Sequence, residues 1–165
     1  MKVTVTVPFG IGAVEWTRAR AQQEAAWALY VELVTRVAIQ GRSAESGLVR
    51  EALDSLHSLF PTTRHILREA GPAVGTSERT VGGIALAVLN RGLRPFLSKW
   101  HPAYSEWERS APSRSEAWGE EPGFRRELVA LQAELAKYAE ALEKIARAKS
   151  WLGFLKGLIR GRETA

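Results

Sequence analysis

Apolar residues recur at steps of three and four along most of the chain, which is the spacing of amphipathic helices. The first such segment predicts a helix from about Ala13 to Gln40, followed by a stop signal at Gly41. Gln23 is the only polar member of its apolar stripe. The other members of the stripe are Trp16, Ala19, Ala26/Trp27, Tyr30, Leu33/Val34 and Val37.

Two more helices are predicted in the middle of the chain. A serine N-cap at position 43 or 46 begins a helix that runs to Phe60, with a short continuation after Pro61. The glycine-rich stretch 71–76 separates it from a third helix that ends near Leu93.

Apolar steps continue from Leu93 to Trp107, but Pro95 and Pro102 interrupt this segment. Proline lacks the backbone N–H that an interior helical position uses. The pattern therefore predicts kinked or consecutive short helices here.

The most regular pattern is a heptad seam, which predicts a long fourth helix. Its members are Phe124, Leu128, Leu131, Leu135, Tyr138, Leu142 and Ile145. A seam of this kind packs against other helices, either within the chain or in a homo-oligomer that associates through the Phe124–Ile145 seam.

At the N-terminus the apolar residues recur at every second position instead of at helical spacing. Val3, Val5 and Val7 alternate with polar residues up to Pro8, which predicts a short strand with no recognisable partner. Together these patterns predict an all-α fold, an antiparallel bundle of four to five helices with a short N-terminal extended segment and a C-terminal amphipathic helix. Residues 1–148 would form the bundle domain and residues 149–165 a basic amphipathic tail.

The net charge of +5 is unevenly distributed. Residues 147–165 hold five basic side chains and one acidic one, whereas the residues before them hold 18 basic and 17 acidic side chains. A basic surface over the whole domain, as nucleic-acid binding requires, is therefore not supported.

In a helical projection the tail separates into two faces. Its bulky apolar residues are Trp151, Leu152, Phe154, Leu155, Leu158 and Ile159, and the basic side chains opposite them are Lys149, Lys156 and Arg160. This combination is typical of helices that lie on anionic membranes. Three glycines lower the helix propensity of the tail, so we expect it to fold only when docked on the bundle, a membrane or a partner protein.

A second candidate site is an aromatic and basic cluster in the segment interrupted by prolines. Its members are Arg94, Trp100, His101, Tyr104 and Trp107. Such residues can stack on bases or line a ligand groove, or they can seal a kinked helix against a bundle.

Signals for enzymes are weak. The chain has no cysteine, its sole aspartate is Asp54, and its three histidines lack the spacing of metal ligands. We therefore expect no metal or cofactor and, more generally, no catalysis. An enzyme centred on His101 would need Glu106 or Glu108 beside it in a pocket.

These observations favour a non-catalytic helical module that docks on an anionic membrane surface or on partner proteins, in the cytoplasm or peripheral to a membrane. Its layout is similar to the four-helix-bundle executioner domains of cell-death and defence proteins, the HeLo and pseudokinase-executioner class, although no motif is shared. That resemblance implies an effector or adaptor that places basic amphipathic helices on membranes. The alternatives are a bundle that binds nucleic acid or a regulator through the tail and residues 91–107, and a small helical enzyme centred on His101.

Overall fold

The computed structural model describes residues 2–17, 19–36, 48–75, 77, 79–110 and 117–148. The described chain is predominantly helical, as predicted, and carries one two-stranded antiparallel sheet. The strands are β1 (Lys2–Val7) and β2 (Gly12–Thr17), and the helices are α1 (Arg20–Val34), α2 (Val49–His57), α3 (Leu59–Ala70), α4 (Val81–Ala87), α5 (Arg94–Ser110) and α6 (Glu121–Arg147). A 3-10 turn at Pro72–Val74 follows α3, and a π-helical segment at Val88–Leu93 joins α4 to α5.

The N-terminal strand has a partner within the chain, and the predicted helix over residues 13–17 is wrong. β1 pairs with β2 in a hairpin whose register places Val5 opposite Val14. The backbone of this hairpin has positive φ angles at Phe9, Gly10 and Gly12. Glycine adopts such angles readily, which accounts for Gly10 and Gly12. Val14 and Trp16 are both buried and lie two residues apart, as expected on one face of a strand. The strand spacing therefore describes this segment, although Trp16 also fits the helical spacing.

α1 and α6 pack antiparallel and form the centre of the fold. Gln23 near the start of α1 reaches the end of α6, where its amide nitrogen donates to the Ala148 carbonyl at 2.6 Å. Near the other end of α1, Leu33 lines the same small cavity as Tyr138 in the middle of α6. Gln23 therefore supplies a hydrogen-bond donor to a backbone carbonyl that has no partner within α6, because it lies at the C-terminal end of that helix.

The heptad pattern predicted α6 correctly. All seven seam residues are buried within the single chain, and Phe124, Leu128, Leu135, Leu142 and Ile145 are fully enclosed. An assembly of copies through this seam would have to open the core.

Of the two arrangements predicted between Leu93 and Trp107, consecutive short helices are wrong, because a single helix, α5, runs through Pro102. Pro102 has no N–H to donate to the carbonyl of Ser98, one turn earlier. Both residues are exposed, so this carbonyl can bind water instead. By contrast, Pro61 lies in the first turn of α3, where no helical hydrogen bond is lost.

Two predictions lie wholly or partly outside the described residues. The C-terminal amphipathic helix falls within 149–165, and the first predicted helix extended beyond Arg36.

Candidate functional site

The aromatic part of the predicted groove belongs largely to the core. The Trp100 side chain is 3% exposed, and its ring meets Trp118 and Phe124 edge-on at 5.7 Å between centroids. Its indole nitrogen donates to Glu127 Oε2 at 2.8 Å. Hydrogen bonds from Lys99 and Trp100 hold the pKa of the Glu127 carboxyl below its usual range. Trp100 therefore anchors α5 on α6, and its ring is not available to a ligand.

Tyr104 and Trp107 continue this aromatic cluster towards the surface. The Tyr104 ring lies 5.1 Å from Trp118 and 5.3 Å from Trp107 between centroids. The Arg50 guanidinium lies 5.1 Å from the centroid of Tyr104. Both rings are partly buried against the core, which is the arrangement in which aromatic residues seal a helix against its neighbours.

The remaining members of the predicted groove, Arg94 and His101, face a different neighbour. They line an open cleft between α5 and the α2–α3 pair, with a volume of about 340 Å³. We call this the basic cleft, and its polar and aromatic lining consists of His57, Phe60, Arg64, Arg94, Ser98 and His101.

The basic cleft arises where two helical stripes oppose each other. His57, Phe60 and Arg64 follow at steps of three and four across the α2–α3 junction, while Arg94 and His101 lie seven residues apart on α5. The His57 and His101 rings approach to 5.8 Å between centroids. The cleft therefore joins residues that are far apart in sequence, which is why sequence patterns missed His57 and Arg64.

Two contacts orient the Arg94 side chain in the basic cleft. The Arg94 guanidinium lies 5.2 Å from the centroid of the Phe60 ring, a cation–π arrangement. Arg94 Nε donates to Asn90 Oδ1 at 3.1 Å, and this hydrogen bond uses neither terminal guanidinium nitrogen. Asn90 belongs to the π-helical segment, a feature that frequently accompanies functional sites.

The carboxylates proposed for an enzyme at His101 have other partners. Glu106 pairs with Arg109 and Glu108 pairs with Arg50. The carboxylate beside His101 is Asp54, whose Oδ1 lies 3.8 Å from His101 Nε2, beyond hydrogen-bond reach. Within the described ranges there is no group of three histidine or acidic residues that could hold a metal ion.

A second surface lies on α1. Trp27, Val31 and Val34 are exposed and follow at steps of four and three, and we call them the α1 stripe. Trp27 is 49% exposed and stacks on Tyr30 at 5.4 Å between centroids. The sequence pattern had assigned Trp27 and Val34 to the core alongside Ala26 and Leu33, but only the latter two are buried.

The α1 stripe begins beside the point where the C-terminal tail starts. Gln23, which holds the Ala148 carbonyl, lies one helical turn before Trp27. The tail residues predicted to dock are Lys149, Trp151, Leu152, Phe154, Leu155, Lys156, Leu158, Ile159 and Arg160, and all of them lie outside the described residues. In the part of the chain that is described, no helix has the length and apolar character needed to cross a membrane.

Comparison with known proteins gave no relative: no family model matches the chain, and no significant match was found among curated proteins or solved structures.

Proposed function

We propose that the chain is a non-catalytic helical-bundle module that docks on an anionic membrane surface from the cytoplasmic side. The observation that carries this proposal is the position of the α1 stripe beside the origin of the basic tail. An exposed apolar stripe and a basic amphipathic segment would then act on the same side of the molecule.

The tail supplies the electrostatic part of the interaction. Lys149, Lys156 and Arg160 share one face of the projected helix, opposite the apolar residues. A basic residue near an anionic membrane surface contributes about 1 kcal/mol. Three such residues, together with a tryptophan and leucines that would insert between the lipids, would support peripheral binding, whereas the tail with its three glycines would be a poor helix in solution.

The α1 stripe supplies an apolar surface of the folded body. Tryptophan is suited to the boundary between lipid headgroups and acyl chains because its ring is apolar and its indole N–H is polar. Exposed Trp27 is positioned for this role, and Val31 and Val34 extend the apolar surface by two further turns of α1.

Reversal of two tail charges tests this proposal in the full chain. We expect Lys156→Glu/Arg160→Glu to reduce co-sedimentation with phosphatidylserine-containing vesicles at least about tenfold, because two attractive charges become repulsive. The matched control is Arg79→Glu/Arg126→Glu, which changes the net charge equally at two exposed positions of the described body.

The control decides whether the tail or only the net charge matters. Equal losses in the two double variants would contradict a docking role for the tail. If binding persists unchanged in the tail variant, the tail is not the membrane contact, and docking on a partner protein or on the body itself becomes the explanation of the tail.

A further inference from the structure

The basic cleft contains a concentration of hydrogen-bond donors that membrane docking by the tail does not use. Two guanidinium groups, two imidazoles and one hydroxyl line a single cleft of about 340 Å³. No carboxylate is among its described lining residues. The nearby acid, Asp54, is largely exposed, and its Oδ1 lies 4.0 Å from Arg50 Nη1 and 3.8 Å from His101 Nε2.

We propose that the basic cleft binds the phosphate group of a small soluble phosphate monoester. Arginine forks match phosphate oxygens in a bidentate manner, and hydrogen bonds to an ionised acceptor are about twice as strong as neutral ones. A phosphate monoester offers three terminal oxygens, whereas a carboxylate offers two. The number of donors from two opposing helical stripes therefore fits the phosphate better.

Apolar groups of the basic cleft define the rest of the ligand. Phe60 forms part of the lining, and Leu97 and Pro102 are beside it. Phe60 also holds the Arg94 guanidinium in place through their stacked contact. Phe60 is buried and its ring carries the Arg94 guanidinium, so the exposed apolar group of the lining is Pro102. The ligand we infer has a phosphate at the arginine and histidine side chains and an apolar substituent against Pro102.

The proposed site is preorganised on only one side. Arg94 is oriented by Asn90 and Phe60, and the centroids of the two imidazole rings lie 5.8 Å apart. Arg64 and His57 are exposed, so the site is open to solvent and its charges are screened. We therefore expect modest affinity, with a dissociation constant on the order of 1 mM for a minimal ligand.

Titration of the full chain with phenyl phosphate, followed by NMR, tests this inference. We expect saturable shifts of the His57 and His101 ring signals, and weaker binding of benzoate, which carries a carboxylate in place of the phosphate. Arg64→Gln and Arg94→Gln should each weaken phenyl phosphate binding about fivefold or more, because each removes charge-assisted hydrogen bonds. Arg94→Lys should lose less, since it keeps the charge but not the fork.

Arg20→Gln is the matched control, because its side chain is 91% exposed on α1 and pairs with Glu24. An equal loss in this control would mean that phenyl phosphate responds to net charge alone, and would overturn the proposal. Equal affinity for benzoate would overturn the choice of phosphate, and an absence of saturation in the wild-type chain would overturn the site. Circular dichroism of each variant verifies that the fold is intact.

A separate experiment distinguishes a soluble phosphate monoester from one that is carried by a membrane lipid. Vesicles of phosphatidylcholine that contain phosphatidic acid present the same monoester on a lipid. If Arg64→Gln and Arg94→Gln reduce binding to these vesicles while phenyl phosphate gives no saturable shift, the soluble ligand is wrong. If the cleft variants bind these vesicles as the wild type does but lose phenyl phosphate, the cleft acts independently of the tail, as we propose.

Discussion

Replacement of Phe124 by alanine is expected to lower the free energy of unfolding by about 3–5 kcal/mol, the range for deletion of a large aromatic side chain from a packed core. Phe124 is fully buried, and its ring contacts Phe96 at 5.5 Å and Trp100 at 5.7 Å between centroids. Trp118 lies 5.9 Å away on another side. One substitution would thus open a cavity where α5, α6 and the segment before α6 meet.

Thermal or urea unfolding measures this effect. For a chain of this size we expect a fall in Tm of roughly 10 °C or more. Val129→Ala is the control, because Val129 lies on the same helix but is 52% exposed and should change stability by less than about 0.5 kcal/mol. Similar stabilities of the two variants would show that the seam of α6 does not pack as described.

Substitution of Gly82 by alanine should also destabilise the protein, although helix propensity predicts the opposite. Gly82 lies in the first turn of α4, and an added Cβ would be 2.1 Å from the Gly75 carbonyl oxygen and 3.1 Å from that of Val74. The contact is with backbone, so the loop after the 3-10 turn would have to move. We expect a loss of about 2–3 kcal/mol, typical of forced overpacking.

The direction in which Gly82→Ala changes the stability decides this test. Without the close approach, alanine in place of a helical glycine would stabilise the protein by up to about 1 kcal/mol. Gly119→Ala is the matched control, since nothing lies within 4 Å of its added Cβ. An unchanged or raised Tm in Gly82→Ala would contradict the packing of the 3-10 turn on α4.

Sequence patterns predicted α6 and the helical class because their signal is local and repeated. The seven seam residues keep the heptad spacing without interruption, and each one is buried. The β-hairpin was missed because Trp16 fits both a period of two and a helical stripe. Only the pairing of Val5 with Val14, which follows from the turn at Phe9 and Gly10, separates the two possibilities.

The candidate sites were predictable only in part, for a related reason. Arg94 and His101 were recognised from their own segment, but His57 and Arg64 join them because α5 packs on α2 and residues of α2, α3 and α5 line one cleft. The sequence left the role of Trp100 open because a buried anchor and a stacking platform have the same residue type. The α1 stripe could have been found from the spacing of Trp27, Val31 and Val34, which forms a second apolar line beside Ala26 and Leu33.

The most direct test of the proposed function is the binding of the 165-residue chain to vesicles of two compositions. One set is phosphatidylcholine alone, and the other contains about one third phosphatidylserine, which sets up the negative surface potential that attracts basic residues. We predict co-sedimentation with the anionic vesicles, little with the neutral ones, and a marked loss when salt is raised from about 0.1 M to about 1 M, because the Debye length falls from about 10 Å to about 3 Å. No binding to either set, or equal binding to both, would contradict the assignment of this chain as a module that docks on anionic membranes.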